Sequence, residues 1–216
     1  MAGASTEIVR KPRADAVRNR ERVLESAKAV FSAGGSDASL EAVARHAGVG
    51  IGTLYRHFPT REALYEAVYR REVEQLGDLA EQLQGAPCPV EALRRWLRAN
   101  VQFVATKKGM VAALALVAHG PSELHAYSFD RLTKAIDALL KPAVAAGAIR
   151  GDISAEDVLR ALIGMCYMHD QPGWQATALR LLDVFVDGLR VQPPAATGIP
   201  PAQRKPGRKR TATRSR

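Results

Sequence analysis

The sequence predicts an all-α fold, and three observations carry that expectation. Ala, Arg and Leu are the commonest residues of the chain, and these residues lose little on entering a helix. Runs in which β-branched residues alternate with polar ones, the mark of a half-buried strand, are absent. Apolar residues instead recur three and four positions apart, in segments punctuated by Gly and Pro. An apolar content of 47% beside 25% charged residues is ordinary for a chain that buries a core. Its 216 residues suffice for one large domain or two small ones.

Residues 1–13, polar and containing Pro12, read as a flexible arm. From about Ala14 to Ala33, Val17, Leu24, Ala27, Val30 and Phe31 follow helical spacing, and Gly34 and Gly35 end the segment. Ser39 suits the N-cap of a second helix in which Leu40, Val43, Ala44 and Ala47 fall at i, i+3, i+4 and i+7. That helix stops at Gly48. Gly48 and Gly50 bracket Val49, making a tight turn whose one apolar side chain can tuck between helices. Thr53 to Phe58 then forms a short helix with Leu54 and Phe58 on one side, and small Ala44 lets the two helices approach closely. This order of Ala44, Gly48, Val49 and Leu54 is what a helix-turn-helix over residues 39–58 requires.

Pro59-Thr60 breaks the chain again, and Thr60 can cap a long helix from Arg61 to about Gln84 carrying Leu64, Val68, Leu76, Leu79 and Leu83. After the loop GAPCP, helices are expected over about Val90–Thr106, Met110–Ala118 and Ser122–Ala146, the last with Pro142 inside it. Ser154 with Asp157 resembles a capping box opening a helix to about Met168. A last helix runs from about Gln175 to Arg190. Residues 191–216, rich in Pro and basic residues, are expected to be a disordered basic tail.

Charge divides unevenly along this plan. Residues 1–60 hold nine Lys/Arg against six Asp/Glu, residues 61–190 hold 15 against 16, and residues 191–216 hold seven against none. Basic ends around a neutral body suggest a polyanion partner at the ends. The longest apolar run, Met110 to Ala118, is too short to span a bilayer, so no membrane partner is expected. No apolar N-terminal segment resembles a secretory signal, and two distant cysteines fit a reducing compartment. A cytoplasmic location follows as the expectation. His119, His125 and His169 with Cys166 match no ligand spacing, so no metal is expected. No nucleophile–base arrangement or phosphate-binding glycine loop is present, which argues against an enzyme, and no cofactor is expected.

The stretch SLEAVARHAGVGIGTLYRHFPTREAL, Ser39 to Leu64, resembles the DNA-binding signature of TetR-type transcriptional regulators. GV, G-x-LY, HF and the acidic-Ala-Leu run all fall at the expected offsets. KGMVAALAL, AAGAIRGDISAEDVLRAL and LLDVFVDGLR resemble the effector-domain pattern of the SbtR-like subgroup. The resemblance implies a DNA-binding domain over residues 14–73 and an effector-binding and dimerisation domain over residues 74–190. Two departures stand out. Gly50 replaces a serine commonly found at the start of the recognition helix, and Arg61 replaces a lysine that usually touches phosphate at the start of the next helix.

A short helix held out by a tight corner can enter the major groove, where each base pair shows a distinct set of donors and acceptors. The expected exposed face carries Ile51, Gly52, Thr53, Tyr55, Arg56 and His57. Thr53 can offer a hydroxyl or a methyl to a base edge, Arg56 can read guanine or neutralise phosphate, and Gly52 lets the backbone lie close. Tyr55, His57, Arg61 and Ser39 match family positions that hold phosphate, Ser39 at a helix N-terminus. Arg18, Arg20 and Arg22 are further candidates for the DNA backbone.

The resemblance also implies a homodimer. Leu159, Leu162, Ile163, Leu179, Leu182, Phe185 and Val186 could line a four-helix interface with a second copy or serve the core of one protomer. A small-molecule effector of unidentified chemistry would bind between about Val90 and Met168, where Phe103, Met110, Leu114, Tyr127, Phe129, Met165 and Tyr167 are lining candidates. The function so implied is a ligand-responsive homodimeric repressor of a double-stranded DNA operator. The alternative is a non-specific, nucleoid-type DNA-binding protein, against which the neutral body weighs.

Overall fold

The structure, a computed structural model, describes residues 11–33, 38–113, 122–168 and 172–191. Most of the expected arm, the Gly34-Gly35 stop, Leu114, His119, His169 and all but the first residue of the basic tail lie outside the described residues. Those described form eight α-helices and no strand: α1 (Lys11–Ala33), α2 (Leu40–Ala47), α3 (Ile51–His57), α4 (Arg61–Leu83), α5 (Pro89–Ala113), α6 (Ser122–Ala145), α7 (Ala155–Tyr167) and α8 (Trp174–Leu189).

Three boundaries differ from the sequence expectation, each for a physical reason. Helix α1 takes in Lys11, Pro12 and Arg13, which had been assigned to the arm. Pro12 is tolerated there because first-turn N–H groups have no partner within the helix. Helix α3 starts at Ile51, not Thr53, because the Gly50 carbonyl accepts from the N–H groups of Thr53 (2.9 Å) and Leu54 (3.2 Å). The two helices expected over Val90–Thr106 and Met110–Ala118 are one continuous helix through the described residues, α5. Gly109, which looks like a breaker, is instead a contact residue. A Cβ built on it would lie 1.8 Å from the carbonyl oxygen of Phe31, so only glycine lets α5 meet the end of α1.

The packing follows from which faces are apolar. Leu24, Phe31, Val43, Leu54, Phe58 and Leu64 close a small N-terminal core among α1, α2, α3 and the start of α4. Helix α4 passes unbroken through the expected division at residues 73 and 74, and packs against α5 and α6. Fully buried Trp96 on α5 donates its indole N–H to the Leu76 carbonyl of α4 at 2.7 Å. Helices α7 and α8 pack on each other and on α5. The expected capping box of α7 is present, with Asp157 N–H donating to the Ser154 hydroxyl and the Ser154 N–H returning to the Asp157 carboxylate. Arg94 of α5 reaches Asp183 (3.1 Å) and Asp187 (2.5 Å) of α8.

Polar side chains also tie α1 to the body. Lys28 pairs with the buried Glu72 of α4 at 2.9 Å, Arg71 pairs with Glu25 at 2.8 Å, and the Ser32 and Thr106 hydroxyls are 2.5 Å apart.

Candidate nucleic-acid interface

The corner between α2 and α3 is built from backbone. Gly48 adopts φ 64° and ψ 35°, the left-handed region that β-carbons disfavour. Its N–H donates to the Arg45 carbonyl at 3.1 Å and the Val49 N–H to the Ala44 carbonyl at 3.0 Å, a Schellman close. Val49 packs against the core beneath. Leu54 and Phe58 are buried and anchor α3 from below, while Ala44, at 3% exposure, sits where the helices meet.

That anchoring decides which α3 residues face out. Ile51, Gly52, Tyr55 and Arg56 are exposed, and Thr53 and His57 are partly so. All six candidates on this helix therefore lie off the core side. The seven-residue helix leaves its two ends beside other helix ends. Thr60 caps α4 by accepting from the Ala63 N–H at 3.1 Å, and Ser39 caps α2 by accepting from the Ala42 N–H at 3.1 Å. Arg61, exposed at the start of α4, acts electrostatically on Glu41 in the first turn of α2. The starts of α2 and α4 both offer partly positive N–H groups.

Glu41 is a site-edge residue that sequence reasoning passed over. The N–H groups opening α2, then the Ser39 hydroxyl, then Arg61 hold its carboxyl below the usual range. It is a negative charge at the start of α2. The signal for it was present, since an acidic residue in a first turn is a common complement to the dipole.

The guanidinium of Arg22, exposed on α1, donates to the Ala47 carbonyl (2.5 and 3.1 Å) and the Gly48 carbonyl (3.1 Å), so it braces the corner. Arg20 stacks over the Phe58 ring at 5.3 Å and Arg18 pairs with Asp15. His46 is exposed, but its Nδ1 lies 3.0 Å from the Ser26 hydroxyl of α1.

At Gly50, the N-cap of α3, no side chain caps the helix, and a Cβ would meet nothing within 4 Å. Gly50→Ser is therefore expected to stabilise the fold by about 0.3 kcal/mol through a new cap. Chemical denaturation checks it, and a loss of stability would show that the site is not open.

The effector candidates do not converge. Met110 is fully buried and Phe103 nearly so, both in the core. The Tyr127 hydroxyl donates to Glu74, whose carboxyl that bond holds low, and Phe129 lies under Arg160 at 5.6 Å. Met165 is partly buried, and Tyr167 is exposed between Lys107 and Lys108. A cleft of about 500 Å³ does open between α1, α4 and α5, lined by Lys28, Glu72, Gln75, Leu79, Gln102 and Phe103. Of the described candidates, Phe103 alone lines it. Cys166 is buried and its thiol is pushed up to about 11 by that burial, so it serves as a small core residue.

The dimer candidates divide by burial. Leu159, Leu162, Leu182 and Val186 are at most 1% exposed within one protomer and belong to its core. Ile163 is exposed, and Leu179 and Phe185 are partly so. Leu181 and Val184, the latter 70% exposed on α8, are exposed apolar residues outside that set.

The comparisons with known proteins agree with this geometry. A profile described as "Bacterial regulatory proteins, tetR family" matches residues 23–68, and one described as "Transcriptional regulator SbtR-like, C-terminal domain" matches residues 88–191. Among solved structures, the TetR transcriptional regulator SCO0520 from Streptomyces coelicolor is 47% identical. That match has a TM-score of 0.68 and covers 79% of this chain and 98% of that one. A TetR transcription regulatory protein from Mycobacterium vanbaalenii is 37% identical with a TM-score of 0.64, covering 83% and 99%. The HTH-type transcriptional repressor KstR of Mycolicibacterium smegmatis is 41% identical over 58 residues, 26% of this chain and 28% of that protein. The chain spans about a third of the length of the curated relatives it matches.

Proposed function

The chain belongs to the TetR family of transcriptional regulators, and from that premise we propose that it is a ligand-responsive homodimeric repressor of a palindromic operator. Family membership makes it a regulator, not an enzyme. The observation that carries the reading is the outward face of α3, held on buried Leu54 and Phe58 by the Gly48 corner. Thr53 and Arg56 are then free to approach a groove, while Ser39, Tyr55, His57 and Arg61 take phosphates on its edges. Among the described residues, no helix is long and apolar enough to cross a membrane.

A homodimer supplies the second reading head. The exposed residues Leu181 and Val184, with half-buried Phe185, fall on one side of α8, and Ile163 is exposed on α7. A second copy laid on this face would bury them in a four-helix arrangement. Release from DNA then requires an effector that prefers a dimer whose heads are badly spaced, since equal affinity for both forms shifts nothing.

Gel-shift titration on an operator selected from genomic fragments tests the assignment. Thr53→Ala should relax sequence preference, at about 1–3 kcal/mol if it reads a base. Arg61→Ala should weaken all sequences about equally and flatten the salt dependence. The reverse pattern would overturn both roles. Binding without sequence preference by the unmodified protein would favour a nucleoid-type packager.

A further inference from the structure

The cleft of about 500 Å³ between α1, α4 and α5 has room for a small organic molecule, and the charges that line it do not balance. Glu72 of α4 lines it and is 4% exposed. Its Oε2 pairs with Lys28 of α1 at 2.9 Å, while its buried Oε1 has no hydrogen-bond partner among the described residues. A buried carboxylate oxygen left without a donor is costly. Asp78 stands exposed in the same lining, and among the described residues no cation pairs with it. Lys28 is the one cation of the lining, and its ammonium is already held by Glu72 and by the Gln75 amide oxygen at 3.4 Å. Two carboxylates against one ammonium leave a single negative charge. Half-buried Leu79 and Ala99, with Phe103, add apolar surface.

These features specify an occupant. An entering N–H donor would satisfy Oε1, a positive charge would offset the uncompensated carboxylate, and an apolar body would cover Leu79 and Ala99. We propose that the cleft is an effector site for a small organic cation, a primary ammonium on a flat apolar body, with Glu72 and Asp78 as its anionic contacts. The proposal rests on the ligand-responsive reading above and gives it a chemistry. It also gives a route. The Lys28 side chain, 30% exposed, can turn its ammonium to water and give way to the ligand at Glu72. That exchange loosens a tie between α4 and α1, the helix on which α2 and α3 pack. The ligand then prefers the form in which the reading heads have shifted.

Calorimetric titration of the full-length protein with 2-phenylethylamine and its neutral counterpart 2-phenylethanol tests the site. The amine is expected to bind at least about tenfold tighter than the alcohol. Asp78→Asn, at an exposed position, should cut that preference severalfold with the thermal melt unchanged. Glu72→Gln should abolish it while keeping the helical circular-dichroism signal. Lys28→Met should bind the amine more tightly than the unaltered protein, because Glu72 then has no cation of its own; a merely structural ion pair would give no such gain. Equal binding of amine and alcohol, a preference that survives both carboxylate substitutions, or no amine binding at millimolar concentration would each overturn the proposal. Gel shifts on the same samples separate the two readings. Amine bound through Glu72 and Asp78 without loss of DNA binding would support the site and refute ligand-driven release.

Discussion

Gly109→Ala should destabilise the protein by about 3 kcal/mol, the upper range for overpacking a tight contact. For a chain of this size that is a fall in melting temperature of about 9 °C. The obstacle is backbone, the Phe31 carbonyl 1.8 Å from the new methyl group, and cannot rotate away as a side chain would. Relief requires α5 to move from α1, which would also strain the nearby hydroxyl pair of Ser32 and Thr106. The variant should therefore lose coupling between effector and operator more than operator binding itself. A thermal melt indistinguishable from that of the unaltered protein would show that the two helices do not touch there.

Lys28→Met should cost about 3 kcal/mol, because it leaves the Glu72 carboxylate buried without its cation. Glu72 is 4% exposed, and its Oε1 already lacks a hydrogen-bond partner. Glu72→Met should cost less, since the Lys28 side chain is 30% exposed and can turn its ammonium to water. The double variant, with two apolar side chains of similar volume, should return to within about 1 kcal/mol of the starting stability. Denaturant unfolding of the four proteins measures the coupling directly. Additive losses in the double variant would mean that the pair does not act as a unit at the junction of α1 and α4.

How much of this was legible from sequence depends on how local the cause is. Ser39, Gly48, Thr60 and Ser154 act on backbone within three or four residues, so their roles as caps and corner could be read directly. Leu54 and Phe58 were legible because their burial follows from helical spacing. Arg22 was not, since its partners at Ala47 and Gly48 lie 25 and 26 residues away and a charged helix face gives no sign of where it reaches. The continuity of α5 past Thr106 was not legible, because the reason for Gly109 lies on another helix. The effector candidates failed to converge for a related cause: aromatic and Met residues mark apolar surface, whether it lines a core or a cavity.

Footprinting on a selected genomic site tests the central claim most directly. Two copies of α3, each aimed outward by its glycine corner, should protect two symmetric half-sites whose centres lie about 34–36 Å apart, or a multiple of that, along one side of the duplex. Thr53→Ala should blur both half-sites together. Protection spread evenly over any duplex, or a single asymmetric site occupied by one protomer, would contradict it.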